Sequence, residues 1–287
     1  MGLIAAWSVG AVVGLALLYG GLSAFGAWHW SKATAALTAR LDAACIAPAA
    51  ARYSAAELSG LPAPVQRYFR AALTDGQRIV TRVTLTQSGT FNLSATAAQW
   101  KPFTATQRFT TARPGFVWDA RIMMFPFVPV RVVDAFVDGQ GLLRPAMLGL
   151  FDMGTQRGRG EIARGELMRH FAESIWFPTA LLPSQGVTWT AVDDISASAT
   201  MTDGPLSVTL LFRFGADGLV TSIHADGRAM QTGKTAVLIP WECRTSNVRT
   251  QDGMRILMTG EVLYLTPEGD RPYFKGTIRT LAYTFAS

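Results

Sequence analysis

From position 3 to position 30 the chain is apolar and carries no fixed charge. About 20 apolar residues cross a bilayer core as a helix, so this stretch predicts a transmembrane helix over residues 1–31. Residues 32–54 are alanine-rich and predict a helical stalk ending near Ala47 and Pro48, followed by a short linker. Val65, Tyr68, Phe69 and Leu73 recur at helical spacing behind two prolines, which predicts a second helix over 61–73. From Arg78 onward the apolar period drops to two. Short runs rich in Val, Thr, Phe and Ile alternate with turn signals such as Asp138-Gly139, Asp217-Gly218 and Asp252-Gly253. In the clearest run Leu206, Val208, Leu210, Phe212 and Phe214 share one face, and Ser207, Thr209 and Arg213 the other. Ala197, Ala199 and Met201 repeat the pattern before it. After it, Leu219, Ile223 and Ala225 alternate with Ser222, His224, Asp226 and Arg228. Each run reads as a strand with one buried face and one wetter face.

A helical period returns over 160–176, with Leu167, Met168, Phe171, Ala172 and Ile175 on one side and Glu166, Arg169, His170 and Glu173 on the other. The order strands, helix, strands, without internal repeat, predicts one α+β domain over 55–287: a large antiparallel β half-barrel with one or two covering helices. The apolar face of such a sheet exceeds what two helices of this length cover. It must be closed into a barrel, covered by loops, or occupied by a ligand. Residues 122–130, IMMFPFVPV, are read as an apolar covering loop. Trp176, Phe177, Leu181 and Leu182, with Phe171 behind them, are expected near the barrel mouth as ligand-binding residues.

Charge narrows the partners. The net charge is +6, mostly scattered arginine, which fits a weak attraction to anionic lipid head groups and not the clustered basic stripe of a nucleic-acid binder. Cys45 and Cys243 are too few for a disulfide framework and lack metal-site spacing. No basic residue precedes Lys32, so a retained anchor is preferred to a cleaved signal peptide, although Ala24-Phe25-Gly26 has the small-residue character of a cleavage site. In LDAAC, residues 41–45, the leucine lies one residue too far from Cys45 for a lipoprotein signal. Trp28 and Trp30 predict an aromatic belt where the span leaves the membrane, with His29 beside it. Gly10 and Gly14 form a GxxxG pair, read as lipid-facing in preference to a helix-packing seam. Lys32 and Arg40 follow the span, which by the positive-inside rule would leave the domain in the cytoplasm; the charge difference is small.

Glu166, Arg169 and Glu173 are the catalytic candidates. As a functional site they form a paired-carboxylate cluster tuned by Arg169, with His170 as proton shuttle. As plain structure they form a solvated face braced by intrahelical ion pairs of a few tenths of a kcal/mol each, and the spacing favours this reading. Ser222, His224 and Asp226 alternate along one strand with parallel side chains, and no G-x-S-x-G elbow exists, so they read as an ordinary polar sheet face. Arg157, Arg159 and Arg164, interleaved with glycine, read as a solvated loop. No P-loop, H-E-x-x-H or phosphate-binding glycine motif is present, and neither metal nor cofactor is predicted.

LPAPVQRYFRAAL, WKPFTATQRF, DAFVDGQGLL, GELMRHFAESIWFPTALLP, VTWTAVDD and ADGR, taken in order over residues 61–228, resemble an uncharacterised bacterial family of membrane-anchored proteins with a domain of unknown function. The resemblance places Asp134, Glu166, Arg169, Glu173, Trp176, Pro178, Trp189 and Arg228 on the family's recurrent positions and implies no activity. More loosely, the strand-rich domain with a lid helix is similar to periplasmic lipoprotein-carrier half-barrels. That similarity implies an acyl chain or other apolar ligand on the concave face. It also implies a single-pass protein of the cytoplasmic membrane with its domain on the extracytoplasmic side, against the charge rule. The expected partners are the bilayer and a lipid-like molecule, with no nucleic acid. An enzyme built on Glu166, Arg169 and Glu173, and a structural subunit of a membrane complex, are the alternatives.

Overall fold

The computed structural model describes residues 2–94, 97–125, 128–232 and 235–287. In it the apolar stretch and the alanine-rich stretch are one continuous helix, α1 (Gly2–Ala43). The helix stops at Ala43, short of Pro48. A capping box between Ser54 and Glu57 then starts a short 3-10 turn, Ala55–Leu58. Behind Pro62 comes α2 (Ala63–Ala72), whose Val65, Tyr68, Phe69 and Ala72 are buried, as the helical spacing requires.

Period-two alternation yields a meander in chain order: β1 (Val80–Asn92), β2 (Trp100–Thr110), β3 (Gly115–Phe125), β4 (Val128–Val137), β5 (Gln140–Met147), β6 (Phe151–Asp152) and β7 (Gln156–Gly158). Helix α3 (Glu161–Glu173) and three 3-10 turns between Ser174 and Gln185 follow. The second meander is β8 (Thr188–Asp193), β9 (Ser196–Asp203), β10 (Leu206–Phe214), β11 (Val220–Thr232), β12 (Thr235–Gln251), β13 (Met254–Thr266) and β14 (Gly269–Phe285). Together they make one open antiparallel sheet, ordered β6-β5-β4-β3-β2-β1-β14-β13-β12-β11-β10-β9-β8, with β7 also on β5. The first and last strands pair in the middle, Leu85 opposite Leu281. Each meander therefore runs outward to, or inward from, a free edge. The chain has to cross from one edge to the other, and α3 with the turns after it makes that crossing over the concave face.

Most of 122–130 is strand and not a covering loop: Ile122 and Met124 lie in β3 and Val130 in β4, which pair antiparallel, and residues 126 and 127 fall outside the described ones. The segment is apolar because its inward side chains line the barrel interior. The α3 helix packs against β3, β4, β5 and β7 on one wing and β10 and β11 on the other, so it has no fully wet side. A Cβ on Gly141 of β5 would sit 2.7 Å from the Ala163 backbone nitrogen, which shows how closely the helix approaches the sheet.

The two ends of the half-barrel differ. At one end α2, the 174–187 segment and the β2–β3, β10–β11 and β12–β13 turns enclose the main apolar core, with Tyr68 against Phe214 and Phe69 edge-on to Trp189. At the other end the hairpins β1–β2, β3–β4, β11–β12 and β13–β14 surround an opening. Along the convex side a second apolar cluster forms where Trp30 and Leu41 of α1 pack on Val117, Val133, Ala135 and Leu142. The Trp30 indole donates to Asp119 at 2.9 Å, so Trp30 is a docking residue of the helix and not a free member of an interfacial belt; Trp28 stays exposed.

Candidate functional site

Under the open end lies a cavity of about 1220 Å³, more than the usual small-molecule site of about 300–1,000 Å³. Its upper walls are mainly apolar, including Phe91, Ile122, Met124, Val130 and Phe274, with Asn92, Asp270 and Arg271 at the hairpins. Its floor is ionic: Asp134 from β4, Glu166, Arg169 and Glu173 from α3, and Arg228 from β11.

Arg169 is paired on two sides. It donates to Asp134 through Nη1 and to Glu173 Oε1 through Nε at 3.0 Å, and its guanidinium lies 4.9 Å from the Trp118 ring centroid and 5.0 Å from that of Phe116. The second Glu173 oxygen accepts from Gln107 at 2.7 Å, Gln107 accepts from Gln87 at 3.0 Å, and Gln87 accepts from the Trp118 indole at 3.3 Å. This buried chain of donors and acceptors holds Arg169 and Glu173 in one arrangement.

Arg228 is held differently. Its guanidinium lies 5.4 Å from the Trp241 ring centroid, and its nearest carboxyl oxygen, Glu166 Oε1, is 3.8 Å away, beyond hydrogen-bond length. Arg228 Nη1 is buried without a hydrogen-bond partner, and the buried Glu166 Oε2 and Asp134 Oδ1 have no donor except the proton of the Glu166 carboxyl, which Asp134 can accept. Burial, reinforced by the Asp134 charge and only partly offset by Arg228 and Arg169, pushes the Glu166 carboxyl well above its usual range. Burial alone would weaken the charge on Arg228, but its acidic surroundings, Asp134 among them, outweigh it and the guanidinium stays protonated. The floor therefore pairs one cation, Arg169, with two carboxyl groups and leaves a second cation facing a carboxyl that holds its proton.

The solvated-face reading of Glu166, Arg169 and Glu173 is overturned: Glu166 is 3% exposed, and the side chains of Arg169 and Glu173 are each 14% exposed. Amphipathic spacing suggested water on that side, but the second wing of the sheet and the cavity occupy it instead. His170 does not join the cluster. It is buried between Phe109 and Phe177, and burial holds its imidazole neutral, down to about 3. Of the apolar candidates, Trp176 lines the cavity, while Phe171, Phe177, Leu181 and Leu182 are buried in the core below it.

Arg228 was read on the polar face of its strand, with Ser222, His224 and Asp226. A β-bulge between Ala225 and Arg228 turns it inward instead. Gly227 lies within the bulge, and a glycine inside an alternating strand is the one signal of it in the sequence. Trp118, Gln107, Gln87, Trp241 and Tyr273 belong to the site and are given away by no local pattern. His224 Nε2 lies 3.4 Å from the fully exposed Asp226, away from the cavity. Among the described residues no cluster of His, Cys, Asp or Glu is grouped to hold a metal ion.

A profile of a family of unknown function, DUF6544, matches residues 51–276, most of the chain and every residue that lines the cavity. The protein belongs to that family. No curated protein matches the chain. Among solved structures it is similar to a LolA superfamily protein from Nitrosomonas europaea, at 8% identity and a TM-score of 0.39, over 76% of this chain and 90% of that one. It is also similar to a β-barrel-like protein of the DUF1849 family from Brucella abortus, at 12% identity and a TM-score of 0.20, over 72% of this chain and 99% of that one. Outside the family match lies the whole of α1, whose residues Trp7–Ala43 include the only described segment long and apolar enough to cross a membrane.

Proposed function

We propose that this DUF6544 protein is a membrane-anchored binding protein that holds an amphiphile in its half-barrel, with the apolar chain between the hairpins and an anionic head group on Arg228. The observation that carries this reading is the cavity itself, apolar above and ionic below, with a buried guanidinium nitrogen that no protein group satisfies. A buried unpaired donor is costly, and a carboxylate or phosphate oxygen delivered by a ligand removes the cost. The neutral Glu166 carboxyl beside it, its proton shared with Asp134, does not repel an anion. In this reading α1 is a single-pass anchor in the bacterial cytoplasmic membrane, with the domain on its outer side. A carboxyl-terminal alkaline phosphatase fusion that stayed inactive would overturn that placement.

Native mass spectrometry of the detergent-purified full chain is expected to show a retained small molecule. After delipidation the protein should take up a fluorescent fatty acid and take up the corresponding fatty alcohol more weakly. Protein that retains nothing and takes up neither probe sinks the proposal. One observation favours a second reading, an enzyme: an acid that keeps its proton, Glu166, adjoins the cavity beside the Asp134, Arg169 and Glu173 cluster. Chemical change of the retained molecule by the parent protein and not by Glu166→Gln would establish that reading. Unchanged ligand in both leaves the binding role standing.

A further inference from the structure

The carboxyl-terminal half of α1 is not a stalk. Gly26 packs so closely on the 148–150 turn that a Cβ there would collide with the Leu148 carbonyl, and Trp30 and Leu41 are fully buried on the sheet. Asp42, near the end of the helix, faces Arg108 at 3.4 Å. Along the sheet α1 therefore climbs from the packed end of the half-barrel, near Gly115 and Leu41, to the open end, near Leu148 and Gly26. Only residues 2–25 project beyond the body, about 36 Å of helix at 1.5 Å per residue. A bilayer core takes up about 30 Å of that. No spacer remains between the span and the domain.

The end of the body from which the span departs also carries a group of exposed apolar side chains. Leu93, Met147, Phe151, Met153, Val237 and Leu238 are between 38% and 58% exposed and sit on the hairpins and the turn around the opening. On the convex side just behind them, Arg121 and Arg131 are direct cross-strand partners. Like charges placed opposite each other destabilise a sheet unless an anion lies between them. Asp119 lies close enough to Arg131 to share its charge, and the β13–β14 tip adds the ion pair of Arg271 with Glu268. Apolar tips interleaved with arginines have the chemistry of a surface that meets the head-group layer of a membrane.

We infer that the cavity mouth rests on the same bilayer that α1 spans, with the apolar rim in the interface, so that a ligand passes between membrane and cavity without entering water. The inference rests on the anchoring proposed above and adds an orientation: mouth toward the lipid, α2 and the β10–β11 turn away from it. It also accounts for a cavity that is mainly apolar toward its mouth and ionic at its floor, because an amphiphile drawn head-first from the adjacent leaflet keeps its orientation, its head reaching Arg228 while its chain trails toward the mouth.

The test uses the full chain in nanodiscs of phosphatidylethanolamine and phosphatidylglycerol that carry a lipid-borne quencher. Cys45 and Cys243 are replaced, and an environment-sensitive dye is attached in turn at Trp7→Cys, Phe151→Cys, Leu238→Cys and Asp217→Cys. Strong quenching is expected at 7, 151 and 238, with little at 217, whose turn packs on α2. Quenching at 7 but not at 151 and 238 overturns the orientation while leaving the anchor intact. Quenching at 217 equal to that at the rim overturns it as well. Absence of quenching at 7 removes the anchor, and the orientation with it.

Discussion

At the scale of single residues the floor of the cavity makes two predictions. Replacing Arg228 by Met keeps the length of the side chain and its packing on Trp241 but removes the charge. A hydrogen bond to a charged group contributes about 1.5–3 kcal/mol, so affinity for a fatty acid should fall by roughly 10- to 100-fold. Affinity for the matching alcohol should change little, and titration calorimetry with both probes checks the difference. The second concerns His170, whose pKa falls from an ordinary 6.5 when unfolded to about 3 when folded. The unfolded chain then binds the extra proton, so the stabilising contribution of neutral His170 is complete above pH 6.5 and is lost as pH falls toward 3. The slope approaches about 1.4 kcal/mol per pH unit inside that window. His170→Gln should flatten it, as read by denaturant unfolding in detergent between pH 7 and 4. Glu166 and Glu173, raised by burial, act with the opposite sign, but they do so in both proteins and cancel in the comparison. At this scale the sequence was a partial guide. The i,i+4 spacing of Arg169 and Glu173 correctly gave their ion pair, yet spacing along one helix cannot say whether its polar stripe meets water or the far wing of a sheet. Arg228 was hidden for a different reason, because one bulge reverses the face of every residue beyond it.

Elements were more legible. The alternation over 206–214 put Val208, Leu210, Phe212 and Phe214 inward, and they are buried while Ser207, Thr209 and Arg213 are exposed. Period two reports a half-buried strand because neighbouring side chains leave opposite faces, and no tertiary knowledge is needed to use it. The 122–130 segment failed that test because several of its outward positions are apolar as well, so it had no alternation to show and was read as a loop. The crossing of α3 was likewise invisible, since it follows from which strands pair, and the β1–β14 pairing joins opposite ends of the sequence. That crossing depends on close contact at Gly141. In Gly141→Val the side chain has to displace the Ile162–Ala163 backbone, and overpacking of this kind costs about 1–3 kcal/mol. Thermal unfolding should show the loss, and uptake of a fluorescent fatty acid should weaken with it because Glu166 and Arg169 move with the helix. A variant that unfolds at the parent temperature would mean that α3 is not held by this contact.

For the whole molecule, the proposed orientation separates how fast a ligand arrives from how tightly it is held. Phe151 and Leu238 are exposed on the rim and do not line the cavity, so their replacement leaves the binding surface intact. Fully burying an apolar side chain of this size is worth about 1.5–3 kcal/mol, and a half-exposed one entering the membrane interface gains roughly half of that. Phe151→Ser with Leu238→Ser should therefore weaken contact between mouth and membrane by about 2 kcal/mol, or some 10- to 30-fold in the fraction of time docked. Because α1 still tethers the domain, the protein stays on the vesicle and equilibrium occupancy by a fluorescent fatty acid should match the parent. The rate at which the probe moves from bilayer to cavity should drop by about the same factor, measured by photo-release of a caged probe already resident in the bilayer that holds the protein. Equal rates for parent and variant would mean that the ligand reaches the cavity through water and that the rim serves some other contact. A loss of occupancy at equal rates would instead place the two side chains inside the binding site, against the arrangement of the hairpins.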